Sequence, residues 1–213
     1  TDDISHPKNY LEMCEPLGVS ERKLKKALKE GQQAWREFYN FCKKGYTAAE
    51  AIEYVLEGKV PEKHDKPIMK FGLLGYVYDI YDEFVSMGIV DRLREMKIEI
   101  ETFEMIDEIV LDNQLKNMKK RLFWTFSNKL IAAGYKFLKD PSIDGIIHVT
   151  AFGCGPDSLI GKVMELESTE YKKPFMTIRV DEHTGENHLQ TRVEAFVDMI
   201  YRKKYKVKER GIV

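Results

Sequence analysis

The segment from Ile143 to Ala151 is a nearly continuous apolar run, and it constrains the fold more than any other stretch of the chain. A strand that is covered by helices on both faces has this pattern, because neither face meets water. A glycine-flanked cysteine, Cys154, follows the run, and a helix is predicted to begin at Pro156. The thiol is therefore expected beside a helix N-terminus, where backbone amides and the helix dipole favour a thiolate. A buried, unreactive cysteine next to a tight turn is the alternative.

Further strands and helices alternate along the second part of the chain. Strand patterns lie at residues 68–75, 98–103 and 175–180, and helical spacing lies at 81–96, at about 112–138 with a break considered near Trp124, at 156–168 and at 188–205. This alternation predicts an α/β fold with a four-stranded, mostly parallel, doubly wound sheet. With right-handed crossovers we expect the strand order 2-1-3-4, with ligands bound beyond the carboxyl ends of the first and third strands.

Residues 1–60 are predicted to form a separate helical N-terminal segment. Ser20 is the expected cap of one helix that ends near Gly45, and Thr47 with Glu50 has the capping-box pattern of a second helix through Leu56. Residues 61–213 are then the Rossmann-like α/β domain. The chain begins with Thr rather than Met, so we expect a fragment or a processed chain.

The composition excludes several classes of protein. The 34 basic and 35 acidic residues give a net charge of −1, which offers no electrostatic case for binding nucleic acid. No apolar run reaches the ~18 residues of a membrane span, and the polar start is not a signal peptide. Three sparse cysteines, Cys14, Cys42 and Cys154, favour a reducing compartment over a disulfide framework. We therefore expect a cytoplasmic protein that has neither nucleic acid nor a membrane as its partner.

Unusual residue sets follow three of the predicted strands, and parallel strands bring them to one edge of the sheet. The candidate binding residues are Gly75, Tyr76, Tyr78 and Asp79 after the first strand, and Gly153, Cys154, Gly155, Pro156, Asp157 and Ser158 after the third. After the fourth strand, Asp181, Glu182 and His183 offer two carboxylates and an imidazole for general acid–base work. Their convergence predicts a functional site at this edge.

Each of these sets also has a purely structural interpretation. Asp79 and Asp82 suit helix caps, and residues 181–183 suit caps of the last helix and loop hydrogen bonds. Cys154 and His183 form a nucleophilic pair only if the fold brings them together. Neither GxGxxG nor GxxxxGK[ST] occurs, so a Rossmann dinucleotide site and a P-loop are not expected.

Four segments together resemble a known family. They are residues 74–82 (LGYVYDIYD), 120–126 (KRLFWTF), 150–158 (TAFGCGPDS) and 181–186 (DEHTGE). In this order they are similar to the C-terminal half of the 2-hydroxyglutaryl-CoA dehydratase D-component family. The nearest branch is the acyl-CoA dehydratase activase-related proteins, whose longer members also contain an ATP-dependent activase region. The resemblance covers roughly residues 20 to 200.

The resemblance implies an iron–sulfur protein whose cysteine ligands come from two similar α/β halves. Carried onto this chain, Cys154 becomes a ligand of a [4Fe–4S]-type cluster, with Gly153 and Gly155 allowing the backbone to approach it. Asp157 and Ser158 are expected to cap the following helix. Asp181, Glu182 and His183 are expected to line the same edge, either as residues that support the cluster ligand or as proton donors. Cys14 and Cys42 match no cluster motif of the family.

The leading hypothesis is therefore the C-terminal domain of a longer two-half, dehydratase-like protein that performs low-potential electron transfer or radical chemistry on an acyl-CoA. The implied partners are an N-terminal half or partner subunit that supplies further cysteines, and the activase region. The chain alone is not expected to be an active enzyme, since it offers only one matching thiolate. The alternatives are a non-redox α/β domain that binds a small molecule or a subunit, and a thiol hydrolase or transferase that uses Cys154 and His183.

Overall fold

The computed structural model describes residues 6–61, 66–116, 118 and 120–209. The chain divides into two compact units, Thr1–Pro61 and Glu62–Val213. That each unit folds as an independent domain stays a prediction. None of the helices in the described ranges is long and apolar enough to span a bilayer.

The first unit is helical, as predicted. It contains α1 (Leu11–Cys14), α2 (Glu21–Cys42) and α3 (Ala48–Glu57). The Ser20 side chain accepts a hydrogen bond from the Lys23 amide and begins α2. The predicted capping box of α3 is also confirmed, because Thr47 and Glu50 each accept a hydrogen bond from the other's backbone amide.

The second unit is a parallel α/β sheet with helices between its strands. In chain order it contains β1 (Met69–Leu74), α4 (Val77–Tyr81), α5 (Glu83–Ser86), α6 (Ile89–Glu95), β2 (Ile98–Glu101), α7 (Glu108–Leu115), α8 (Thr125–Lys139), β3 (Gly145–Ala151), α9 (Gly155–Glu170), β4 (Phe175–Val180) and α10 (Glu186–Glu209). The strand order is β2-β1-β3-β4 and every pair is parallel, so the predicted order 2-1-3-4 is confirmed.

Two hydrophobic cores cover the two faces of this sheet, which confirms the doubly wound arrangement. One core joins Phe71 and Leu73 of β1 to the inner face of α10. The other joins Leu74 of β1 and Ile146 of β3 to α8 and α9. All residues of β3 except the last are buried, as its apolar run predicted. Burying each large aliphatic side chain of this kind contributes roughly 1.5–3 kcal/mol.

Two predicted helices differ from the observed ones. The helix expected at 81–96 is three short helices that begin at Val77, because Asp82 is extended and Met87 and Gly88 have left-handed backbone angles (φ 51° and 66°). The stretch expected at about 112–138 is divided into α7 and α8, and the extended residue Trp124 precedes α8. The break considered near Trp124 is thus confirmed.

Helix α8 packs directly on β1 at Gly72. A Cβ atom at this position would overlap the ring of Phe137, which is fully buried. Only glycine therefore allows the helix and the strand to approach this closely.

Gly72→Ala is expected to lower the free energy of unfolding by about 1–3 kcal/mol, because the added methyl group must displace a packed ring. Urea unfolding of the variant and the wild type measures this. Gly185→Ala is the control, since a Cβ there meets nothing within 4 Å. Unchanged stability of Gly72→Ala would contradict the close packing of α8 on β1.

Candidate functional site

Strands β1, β3 and β4 end at one edge of the sheet, and a cleft of about 860 Å³ opens there. Its walls come from α4, α5, the start of α6, the end of β3 and the loop after β4. Four candidates predicted from the sequence line it: Tyr78, Asp79, Asp181 and Glu182. Cys154 and His183 are not among the described lining residues.

Cys154 lies at the N-cap position of α9, with extended backbone angles (φ −70°, ψ 105°), and its side chain is half-buried. Gly153 has a φ of 82°, so the turn between β3 and α9 requires a residue without a Cβ. Positions for a Cβ on Gly153 and Gly155 meet no atom within 4 Å. The thiol therefore lies at a helix N-terminus, between two glycines that have unoccupied space where a side chain would begin.

Two tyrosines that follow β1, Tyr76 just before α4 and Tyr78 in its first turn, lie near the thiol. The rings of Tyr76 and Tyr78 stack with centroids 5.8 Å apart, and the Tyr76 hydroxyl is 2.8 Å from Ser127 Oγ. Burial raises the pKa of Tyr78 to about 12, and the neighbouring charges of Asp79 and Cys154 add to the rise. The pKa of Tyr76 is raised as well, and burial is the largest cause. Both phenols therefore remain protonated at neutral pH.

Gly75 explains how this loop comes so close to β3. A Cβ at Gly75 would lie 2.7 Å from the Val149 carbonyl oxygen. Only glycine fits there without moving the backbone, so Gly75 is a packing residue. Gly75 is not among the described residues that line the cleft.

Asp157 does not cap α9, so that expectation is wrong. The helix has no side-chain cap, and the Asp157 side chain is fully buried, with Oδ1 2.9 Å from Nε2 of His148. Ser158 is exposed and does not cap the helix either. Pro156 occupies the first turn of α9, where its missing amide hydrogen costs nothing.

His148 is a site residue that the sequence reasoning missed. It lies in the middle of β3, is fully buried, and packs against Gly161 of α9, where a Cβ would lie 2.7 Å from Nδ1. Within the described chain, Nδ1 of His148 and Oδ2 of Asp157 have no hydrogen-bond partner. The sequence contained a signal for this residue, since His148 is an imidazole within an otherwise apolar run. A buried polar side chain needs a hydrogen-bond partner, which points to a second polar residue nearby.

Asp79 lines the cleft as a fully buried carboxyl group (0% exposed), and neither of its oxygens has a hydrogen-bond partner of normal geometry among the described residues. Burial first, and then the charge of Asp157, raise the pKa of Asp79 to about 7, although backbone groups of Tyr76 and Ala151 offset part of the rise. The suggestion that Asp79 caps a helix is wrong. Asp82 is the cap, and it accepts hydrogen bonds from the amides of Phe84 and Val85.

The loop after β4 forms its own hydrogen bonds. Asp181 accepts hydrogen bonds from the Thr184 hydroxyl (2.7 Å) and the His183 amide (3.0 Å), which hold the pKa of Asp181 below its usual range. The His183 side chain is highly exposed, and its Nε2 lies 3.7 Å from Glu182. No hydrogen bond joins His183 to Cys154 in the described structure, and a nucleophilic pair between them stays a prediction.

The thiol ligands available for a metal cluster are few. No group of three or more His, Cys, Asp or Glu side chains in the described ranges is arranged to hold a metal ion. Cys154 is the only cysteine of the second unit, while Cys14 and Cys42 are buried in the first. The family resemblance implies three thiolates for each cluster, and the second unit offers one of them, Cys154.

The fold and the site define a doubly wound α/β domain with a cleft and a helix-end thiol at the carboxyl edge of its sheet. Residues 81–200 match the family model described as 2-hydroxyglutaryl-CoA dehydratase, D-component, and residues 2–106 match the CoA enzyme activase uncharacterised domain. The first match covers more than half of the chain, and the protein belongs to the 2-hydroxyglutaryl-CoA dehydratase D-component family. The resemblance stated from the sequence motifs is thus confirmed. No curated protein matches the chain.

The raised pKa of Asp79 predicts how stability depends on pH. In the unfolded chain the carboxyl group titrates near 3.8 and in the folded protein near 7, so ionisation costs the folded state stability as the pH rises between these values. Asp79→Asn removes this cost. We expect the variant to be more stable than the wild type by about 2 kcal/mol at pH 8, with water in the cleft screening part of the charge.

Urea unfolding at a series of pH values measures this difference. It is expected to be small below pH 4, to grow up to about pH 7 and to stay level above it. Glu170→Gln, at the exposed far end of α9, is the control and should show no such rise. A difference that does not depend on pH, or an Asn variant that is less stable at pH 8, would contradict the assignment.

Proposed function

We propose that the chain works in an iron–sulfur system of the 2-hydroxyacyl-CoA dehydratase kind, and that Cys154 is a ligand of a [4Fe–4S] cluster in the intact protein. The observation that supports this most directly is the position of the thiol. Cys154 directly precedes helix α9, is half-buried, and lies between two glycines whose surroundings are open. A dehydratase-type cluster supplies low-potential electrons for radical chemistry on an acyl-CoA.

The residues around Cys154 suit an anionic metal cluster. The first amides of α9 have no partner within the helix, and they and the helix dipole favour negative charge. Gly153 and Gly155 leave room for the cluster to approach the backbone. Pro156, in the first turn, presents no amide hydrogen.

The remaining ligands are assigned to a second, similar half or to a partner subunit. One protein thiolate is too few to hold a [4Fe–4S] cluster. Reduction of the cluster is assigned to an ATP-dependent activase region, and the substrate class to acyl-CoA thioesters. Three free cysteines suit a reducing, cytoplasmic location.

Among the candidate acid–base residues, the electrostatics favour some roles over others. Asp181 has a lowered pKa because of its hydrogen bonds to Thr184 and His183, so it stays ionised and is a poor proton donor. His183 and Glu182 are exposed to solvent and can exchange protons with it. We assign proton delivery at this edge to His183 and Glu182, with Asp181 holding their loop in shape.

Anaerobic reconstitution of the full chain with iron, sulfide and an external thiol tests the role of Cys154. The external thiol supplies the ligands that this chain lacks. We expect the wild type to bind iron and acid-labile sulfide and to gain visible charge-transfer absorption, and we expect Cys154→Ser to lose most of both. Cys14→Ser, which changes a cysteine of the helical unit, is the matched control and should behave as the wild type does.

Two results would count against cluster binding at Cys154. One is equal iron and sulfide in Cys154→Ser and the wild type. The other is a wild type that takes up no more iron than a sample whose thiols have been alkylated beforehand.

The cleft itself favours a second candidate function. Cys154 is not among its described lining residues, and its volume of about 860 Å³ lies within the range of small-molecule sites. A non-redox role, the binding of a small molecule in the cleft, therefore does not depend on the thiol. Ligand binding that persists in Cys154→Ser would support this candidate.

A further inference from the structure

The cleft at the carboxyl edge is strongly acidic. Five of its described lining residues have carboxyl side chains: Asp79, Glu83, Asp91, Asp181 and Glu182. No lysine or arginine is among the described lining residues, although the chain as a whole has nearly equal numbers of basic and acidic residues. The negative charge is therefore concentrated locally at the cleft.

These carboxylates differ from several other acidic residues of the same unit, which are paired with basic side chains. Asp144, for example, lies 2.8 Å from the Lys204 ammonium group, and Glu101 lies 2.7 Å from that of Lys70. In contrast, Glu83 and Asp91 form no ion pair within the described residues, and Asp181 bonds only within its own turn. The cleft therefore keeps an uncompensated negative potential, which attracts cations.

Asp79 is an independent observation that points to a ligand. It is fully buried where it lines the cleft, and neither of its oxygens has a hydrogen-bond partner of normal geometry among the described residues. An unpaired buried polar group costs about 1–3 kcal/mol. A positively charged hydrogen-bond donor bound in the cleft would supply both the missing bonds and the missing charge.

The rest of the lining is apolar and aromatic. Phe84 is 92% exposed and Tyr78 is 51% exposed, and Val85 and Met87 add aliphatic and thioether surface. Aromatic faces attract organic cations, and apolar side chains favour an alkyl chain. A hydrated metal ion would use neither kind of surface, whereas an alkylammonium or alkylguanidinium compound would use both.

We propose that the acidic cleft binds a small organic cation, with an ammonium or guanidinium group against Asp79 and its alkyl part against Phe84 and Met87. This inference deepens the second candidate function and does not involve Cys154. It also means that the phosphates of coenzyme A bind elsewhere, because in this cleft they would meet carboxylates without any basic side chain from the described lining.

Isothermal titration calorimetry of the full chain with agmatine tests the proposal. Agmatine has a guanidinium group and an ammonium group on a butyl chain, and acetyl-CoA is the anionic comparison. We expect saturable agmatine binding that weakens as salt is added and is not displaced by acetyl-CoA. Asp79→Asn keeps the shape of the side chain and should lower the affinity at least about tenfold.

Three further variants complete the design. Glu83→Gln with Asp91→Asn removes two charges from the exposed wall, and it should weaken agmatine binding several-fold even if Asp79→Asn fails to fold. Glu170→Gln, at the far end of α9, should bind as the wild type does. Cys154→Ser should also retain binding, so a failure of cluster binding and a failure of cation binding are distinguishable.

The proposal is overturned by any of four results. The first is the absence of saturable agmatine binding to the wild type. The second is wild-type affinity in both Asp79→Asn and the Glu83/Asp91 variant. The third is competition by acetyl-CoA for the same site. Binding of a lysine-containing peptide without binding of agmatine would likewise overturn it, in favour of a protein partner.

Discussion

The contact between His148 and Asp157 is a buried polar link between the sheet and the helix that follows Cys154. It joins the middle of the most buried strand to the first turn of α9, with both side chains removed from water. Asp157 lies in the first turn of α9 and is held inward, and Cys154 occupies the cap position without a side-chain cap. The same carboxyl group raises the pKa of Asp79 across the edge. One buried pair thus joins the helix that follows the thiol to the central strand and influences the charge of the cleft.

Two opposite electrostatic environments lie at this edge. The start of α9 favours negative charge, since its first amides are unpaired and its dipole points its positive end toward Cys154. The cleft beside it is lined by carboxylates and favours positive charge. An anionic cluster and a cationic ligand therefore suit different parts of the same edge. Tyr78 and Asp79 lie near both environments, and burial first, then neighbouring negative charge, raises the pKa of each.

Much of the fold was predictable because it depends on local patterns. The caps at Ser20 and Thr47 follow from side chains that reach amides three residues away. The parallel sheet follows from the alternation of apolar runs with helical spacing. The helix predicted at 81–96 was wrong because periodicity does not report backbone angles. Met87 adopts a left-handed angle that its residue type does not favour, and the packed neighbours of this turn select it.

The sequence by itself determined the order of the strands, the location of Cys154 between a strand and a helix, and the family to which the chain belongs. Only the tertiary structure decided which polar side chains are buried and which residues they contact. Asp79, Asp82 and Asp157 are the same residue type near helix starts, yet one caps a helix, one pairs with His148 and one has no partner among the described residues. The physical reason is that burial and pairing depend on segments far apart in the chain, which only packing brings together.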